Sequence, residues 1–324
     1  MKTQINMLNF QPMPGLVSSH LQMILSSQLP PGAAPPSKNQ LIQLEKGDRL
    51  SCEVSTPNQW KKEEQTVVLI HGMGGSHSSS YMIRISRKAY ARGNKVVRIN
   101  LRGCGSGKGL SKLPYHAGTS HDILKVLQVL KEEAVDSEII LIGFSLGGNI
   151  ALKLAGELGE EAKKLVKMFI AVCPPVDLLQ TVQAVQERRN WLYHQYYLKS
   201  VRAQARDWIF QEIKTLYQLD DVITGPLWGY RGAREYYQEC SSLRFLPNIK
   251  QSTHLLFAED DPFVPLEPVK DVILSDHVNL WSTKKGGHMG FLGRASKARS
   301  LYWMDHLLLN WIAGDFLSDI KTPR

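Results

Sequence analysis

The segment Glu138-Ile139-Ile140-Leu141-Ile142 runs into Gly143-Phe144-Ser145-Leu146-Gly147, and the chain then continues as Asn149-Ile150-Ala151-Leu152-Lys153-Leu154-Ala155. A strand buried on both faces reads as an unbroken apolar run, not as an alternation. Residues 138–142 are therefore expected at the centre of a parallel sheet, with a tight turn and a helix directly behind them. The same grammar recurs along the chain. Apolar strand patterns fall at 66–70, 95–101, 165–172, 254–258 and 278–281, and helical patterns at about 79–92, 118–133, 146–158 and 297–313. Alternating β and α elements imply a mostly parallel sheet flanked by helices on both sides.

Two regions break this rhythm. Residues 1–38 contain Pro12, Pro14, Pro30, Pro31, Pro35 and Pro36, which remove donors and block helix continuation, so an irregular arm is expected there. A hairpin follows, with strands at 40–44 and 50–54 and a turn at Gly47-Asp48. Between Pro174 and Lys250 there is no strand pattern, only amphipathic stretches at 178–189 and 191–216. The expected organisation is the arm, then a single α/β domain over 39–320. A helical cap at about 175–250 would lie over the carboxyl edge of its sheet.

Composition excludes several classes. With 43% hydrophobic and 21% charged residues over 324 positions, the chain reads as a soluble globular protein. Its longest apolar runs fall far short of the roughly 20 residues that span a bilayer. Met1-Lys2-Thr3-Gln4-Ile5-Asn6 lacks the apolar stretch of a signal peptide, so no obvious route of export is expected. Cys52, Cys104, Cys173 and Cys240 are scattered, which suits reduced thiols in the cytoplasm. No H-E-x-x-H or clustered-cysteine spacing appears, so neither a metal nor a cofactor is expected.

The formal net charge is +9, and residues 65–121 contain no carboxylate. Such a field suits an anionic lipid surface or an acidic substrate; the alternative is a solvated basic face. No zinc finger, RNP aromatic motif or basic zipper accompanies it, so no nucleic-acid partner is expected.

Chemistry enters at Ser145. G-x-S-x-G between a buried strand and a helix is the pattern of a nucleophile elbow. Its glycines leave room where side chains would collide with neighbouring elements. A serine hydroxyl needs a base, and the base needs an orienting acid. Downstream, Glu259-Asp260-Asp261-Pro262-Phe263-Val264-Pro265 closes a strand, and Gly286-Gly287-His288-Met289-Gly290 places a histidine in a glycine-rich loop. Ser145 is then the candidate nucleophile, His288 the base and Asp261 the acid, on the D-x-x-Val-Pro spacing; Asp260 is the alternative acid, otherwise a turn carboxylate. The oxyanion donors are expected to be the N–H groups of Leu146 and Met73, the latter from His71-Gly72-Met73-Gly74-Gly75, a loop that His71 would support. Cys104 is expected to pack, His116 and Asp122 to tie a loop to the next helix, and His306 to form a surface pair with Asp305.

Further motifs sharpen the reading: Ser19-His20-Leu21-Gln22, Leu101-Arg102-Gly103-Cys104-Gly105, Tyr115-His116-Ala117-Gly118, Gly143 to Asn149, Asp220-Asp221-Val222-Ile223-Thr224, Gly229-Tyr230, Tyr236-Tyr237 and Gly287-His288-Met289-Gly290-Phe291. Over about residues 10–315 the chain resembles the YheT-type hydrolases, predicted esterases of the α/β-hydrolase fold related to the ABHD lipid hydrolases. It departs from their pattern at Met23 and at Met73-Gly74, beside the oxyanion loop. The resemblance implies a carboxylic ester hydrolase without a cofactor, acting on a small-molecule ester. Acyl transfer through the same acyl-enzyme, or a non-catalytic binding module, are the alternatives.

The aromatic load of the cap (Trp191, Tyr193, Tyr196, Tyr197, Trp208, Phe210, Tyr217, Trp228) suits an apolar acyl chain or the docking of the cap itself. Arg188, Arg189, Lys199, Arg202 and Arg206 suggest weak contact with an anionic membrane surface.

Overall fold

The computed structural model describes residues 4–204, 212–294 and 301–316. One sheet of nine strands organises them, in the order β1-β9-β8-β7-β6-β4-β5-β3-β2. The strands are β1 (Ile5–Met7), β2 (Lys38–Gln43), β3 (Arg49–Ser55), β4 (Thr66–Ile70), β5 (Lys95–Asn100), β6 (Ile139–Phe144), β7 (Met168–Val172), β8 (Thr253–Ala258) and β9 (Val278–Thr283). Only the pairs β2–β3 and β3–β5 are antiparallel. The hairpin forms with Leu41 opposite Ser51.

Every residue of β4, β5, β6, β7 and β8 is buried. Their side chains divide between two cores by pleat. Val68, Ile70, Ile139 and Leu141 pack on one face, and Val67, Leu69, Ile140 and Ile142 on the other. The first face is covered by α3 (Ser120–Glu133) and α4 (Leu146–Leu158), the second by α2 (Ser80–Ala91) and the helix Trp303–Ile312. The expected strand over 165–172 starts only at Met168, because Ala162–Leu165 forms a short helix, α5. In the expected helix at 297–313, residues 297–300 lie outside the described set.

The arm departs from expectation. Ile5–Met7 adds a parallel strand to β9, and Ser19–Gln28 forms helix α1. The prolines that suggested irregularity all lie outside α1, so they bound the helix and do not break it. Between β7 and β8 the described residues contain helices and no strand, including α6 (Leu178–Gln186), α7 (Trp191–Gln204) and the helix Ala233–Cys240. Part of the expected helix over 191–216 falls on 205–211, outside the described residues. Among the described residues, no helix is long and apolar enough to cross a membrane.

Candidate active site

Strand β6 delivers Ser145 on a turn with φ 51° and ψ −119°, a backbone region that L-residues avoid. The flanking glycines are sterically required. A Cβ on Gly143 would lie 2.2 Å from the Gly147 carbonyl oxygen, and one on Gly147 2.5 Å from that of Ile70. The Ser145 N–H donates to the Val172 carbonyl at 2.8 Å, so the neighbouring strand holds the turn.

His288 Nε2 stands 2.8 Å from the Ser145 hydroxyl, and its Nδ1 stands 2.7 Å from Asp261 Oδ2. With Nδ1–H donating to the carboxylate, Nε2 is left to accept the serine proton. The second Asp261 oxygen accepts the N–H groups of Phe263 and Val264 at 3.1 and 3.0 Å. Asp260 points elsewhere. Its Oδ1 accepts the Gly287 N–H at 2.9 Å, and burial raises its carboxyl above the usual range. The His288 loop is left-handed at Gly287, Met289 and Phe291.

The histidine loop is braced by a residue to which the sequence alone assigned no role. Gln22 of α1 is fully buried. Its Oε1 accepts the Leu292 N–H at 2.5 Å, and its Nε2 donates to the carbonyls of Leu292 and Leu16. Gly287 sits so close to α1 that a Cβ there would meet the Ser19 carbonyl oxygen at 2.7 Å.

Loop 71–75 lies beside Ser145: a Cβ on Gly72 would meet that of Ser145 at 3.1 Å. The Gly72 N–H donates to the Tyr81 hydroxyl, and the Gly74 N–H to that of Tyr115. Among the described residues, the N–H groups of Met73 and Leu146 have no acceptor. His71 supports the loop: its Nδ1 donates to the Gly72 carbonyl and its Nε2 accepts the Leu101 N–H. Burial holds its imidazole down at about 4, so it is neutral.

Cys173 lies behind the site. Its thiol, an Asp261 oxygen and a His288 nitrogen fall within 4.8 Å of one another. Burial, then the Asp261 charge, raise the thiol well above its ordinary value. It is therefore protonated, a poor state for a metal ligand. Cys104 is buried too, with its thiol pushed up to about 12, as suits a packing role.

Of the expectations for neighbouring groups, the surface pair of His306 and Asp305 fails. Asp122 ties α3 to the loop after β5 by pairing with Arg102, and it also meets His121. His116 accepts the Gly118 N–H and packs on Trp228, and burial lowers its imidazole to about 3. Asp305 is no surface residue: it is fully buried and pairs with Arg84 and Lys88, while His306 meets Asn310. At Asp305 the arginine wins over the adjacent histidine, because a guanidinium stays charged and forks onto a carboxylate.

A cavity of about 810 Å3 opens onto Ser145 and His288, walled by loop 72–75, α1 and α7. The described cap aromatics divide between the two expected roles, except Trp191, which is exposed. Tyr193, Tyr196 and Tyr197 line this cavity, whereas Trp228 docks by donating to the Pro114 carbonyl and Tyr217 by packing on Tyr237. Trp208, Phe210 and Arg206 lie outside the described residues.

A nine-stranded sheet with a strained serine at the end of its central strand, and histidine and aspartate loops beyond the last two strands, defines a class. The family model for the alpha/beta hydrolase fold matches residues 65–295, and the chain belongs to that family. It is 26% identical over 317 residues to the Escherichia coli K12 protein named "Putative esterase YheT", covering 94% of this chain and 92% of that one. It is 27% identical over 255 residues to the monoacylglycerol lipase of Saccharomyces cerevisiae, covering 72% of this chain and 56% of that protein. The Pyrococcus furiosus esterase Pf2001 shares the fold, with a TM-score of 0.56 at 19% identity over 87% of this chain and 92% of that one.

Proposed function

We propose that the chain is a serine-dependent carboxylic ester hydrolase in which Ser145 is the nucleophile, His288 the general base and acid, and Asp261 the orienting carboxylate. The observation that carries this reading is the unbroken relay from Ser145 Oγ through the His288 ring to Asp261 Oδ2, with both contacts under 3 Å. Names of relatives point the same way, toward esterases and lipases.

The chemistry follows from the geometry. Ser145 Oγ attacks the ester carbonyl carbon as His288 Nε2 takes its proton, and Asp261 stabilises the imidazolium. The carbonyl π electrons move to oxygen, where the N–H groups of Leu146 and Met73 are the proposed donors, each worth about 3 kcal/mol in the transition state. Tyr81 and Tyr115 hold the amides on either side of Met73, leaving that N–H unclaimed. Collapse of the intermediate breaks the bond to the alcohol, which leaves with the proton from His288. Water, its proton taken by His288, then attacks the acyl-enzyme carbonyl, and collapse breaks the bond to Ser145 Oγ, which regains the proton as the acid leaves.

The proposed substrate is a small-molecule ester with a short- to medium-chain or lipid-like acyl group, in keeping with the cavity's size and its tyrosines. Residues 39–320 are read as one hydrolase domain with a helical cap at about 175–250. Four buried free cysteines suit a reducing, cytoplasmic setting. The test is turnover of p-nitrophenyl esters from acetate to palmitate, with Ser145→Ala as control. Equal turnover by that variant would refute the reading. Partition of the acyl-enzyme between water and an added alcohol separates hydrolysis from acyl transfer.

A further inference from the structure

Helix α1 buries more polar positions than apolar ones, with Met23 the apolar one. Its buried positions include the polar Gln22 and Ser26, while Val17, Leu21 and Ile24 are 58%, 44% and 49% exposed. Leu21 and Ile24, three residues apart, fall on one outward stripe of the helix, and Val17 immediately precedes its N-cap, Ser18. Gln22 accounts for the polar interior, since it is committed to Leu292. Nothing in the interior accounts for the apolar exterior.

A second such surface lies on α7, where Trp191, Leu192 and Tyr196 are 58–73% exposed. The two helices are tied together by a 3.0 Å contact between His20 Nδ1 and the Tyr193 hydroxyl, with the two rings stacked. Five of the twelve exposed large apolar residues among those described thus belong to one pair of joined elements, and a sixth, Val17, directly precedes α1, too concentrated for scattered surface exposure. This pair flanks the opening of the active-site cavity: Ile24, Leu192 and Tyr196 are both exposed and part of its lining. Arg188, Arg189, Lys199 and Arg202 are exposed beside them.

We propose that the outer faces of α1 and α7 form a docking surface for an anionic phospholipid bilayer, from which the ester passes into the cavity without crossing water. The proposal rests on the reading of Ser145 as the nucleophile of an ester hydrolase. Bilayer lipid fits this surface better than a folded partner. A second copy seated here would cover the opening and set like cations against one another. Lipid covers the apolar stripe, supplies the ester, and meets the cations with phosphate and other anionic headgroups. Trp191 and Tyr196 carry the amphipathic rings that settle at a lipid–water boundary.

The experiment is flotation of the whole protein with vesicles of phosphatidylcholine alone and with about one third phosphatidylglycerol. It is paired with turnover of soluble p-nitrophenyl acetate and of an ester embedded in the same vesicles. The variant is V17S/L21S/W191S, none of whose residues lines the cavity. The wild type is expected to float with the anionic vesicles. The variant should bind about tenfold more weakly and lose turnover of the embedded ester, while acetate turnover is kept. A wild type that fails to float, or a variant that floats equally well, overturns the docking surface. So does a dimer in sedimentation velocity that the variant dissociates. Flotation of a wild type that cleaves neither ester would sink the hydrolase reading and leave the docking surface standing.

Discussion

Asp260 grips the backbone of Gly287, the residue immediately before His288, through a 2.9 Å bond from the Gly287 N–H to its Oδ1. Two adjacent carboxylates therefore serve one loop in different ways: Asp261 meets the imidazole ring and Asp260 the main chain that carries it.

Asp261→Asn is expected to lower kcat by about 10^4, because an amide neither fixes the required tautomer nor stabilises the imidazolium. Asp260→Asn keeps an oxygen acceptor for Gly287 and should cost less than about tenfold. Steady-state turnover of a p-nitrophenyl ester distinguishes them, and equal losses would reverse the assignment.

Gln22→Ala strips the Leu292 N–H of its acceptor, while the Leu292 carbonyl keeps the Met13 N–H. Buried and unpaired, that N–H costs ~2 kcal/mol. The histidine loop loosens as well, so kcat should fall about 10- to 100-fold, with KM little changed. Urea unfolding and steady-state kinetics on the same preparation read both effects. Unaltered kcat in a destabilised variant would limit Gln22 to a structural role.

Burial keeps three imidazoles neutral: His71 and His254 are lowered to about 4 and His116 to about 3. The unfolded chain takes up those protons near pH 6.5. Their stabilisation is therefore complete above pH 6.5 and drains away as pH falls toward 4. Asp220, raised to about 6 by burial, works in the opposite direction below pH 6 and offsets about one histidine. The net expectation is a loss of about 3 kcal/mol per pH unit between pH 6 and 4. Urea midpoints at pH 7.5, 6 and 5 measure it, and a flat series contradicts it.

Asp305→Asn removes the counter-charge from Arg84 and Lys88, which lie 3.1 and 2.8 Å from its Oδ2. An uncompensated buried cation costs ~3–5 kcal/mol. Chemical denaturation should show that loss, whereas a change within experimental error would mean that the pair is dispensable.

What could be read in advance followed from local rules. The apolar run into Gly-x-Ser-x-Gly requires a buried strand, a tight turn and a helix, and Ser145 is found there. The D-x-x-Val-Pro spacing indicated Asp261, which is the carboxylate that meets His288. The arm was misread because proline count overrode a ten-residue window without proline, in which polar residues occupy two of the three buried positions. Tyr81 and Tyr115 also escaped notice. Each reaches its amide across the fold, and nothing in a tyrosine's neighbours reveals that its hydroxyl will meet a distant glycine.

The pairing of Ile5–Met7 with Leu280–Ser282 has a temporal consequence. During synthesis β1 waits, unpartnered, until the long stretch of chain between it and β9 has emerged, and α1 cannot seat against Leu292 any sooner. Closing so wide a loop is slow. The brace on the His288 loop thus depends on chain made long after it, and the proposed relay from Ser145 to Asp261 waits for a scaffold assembled around it.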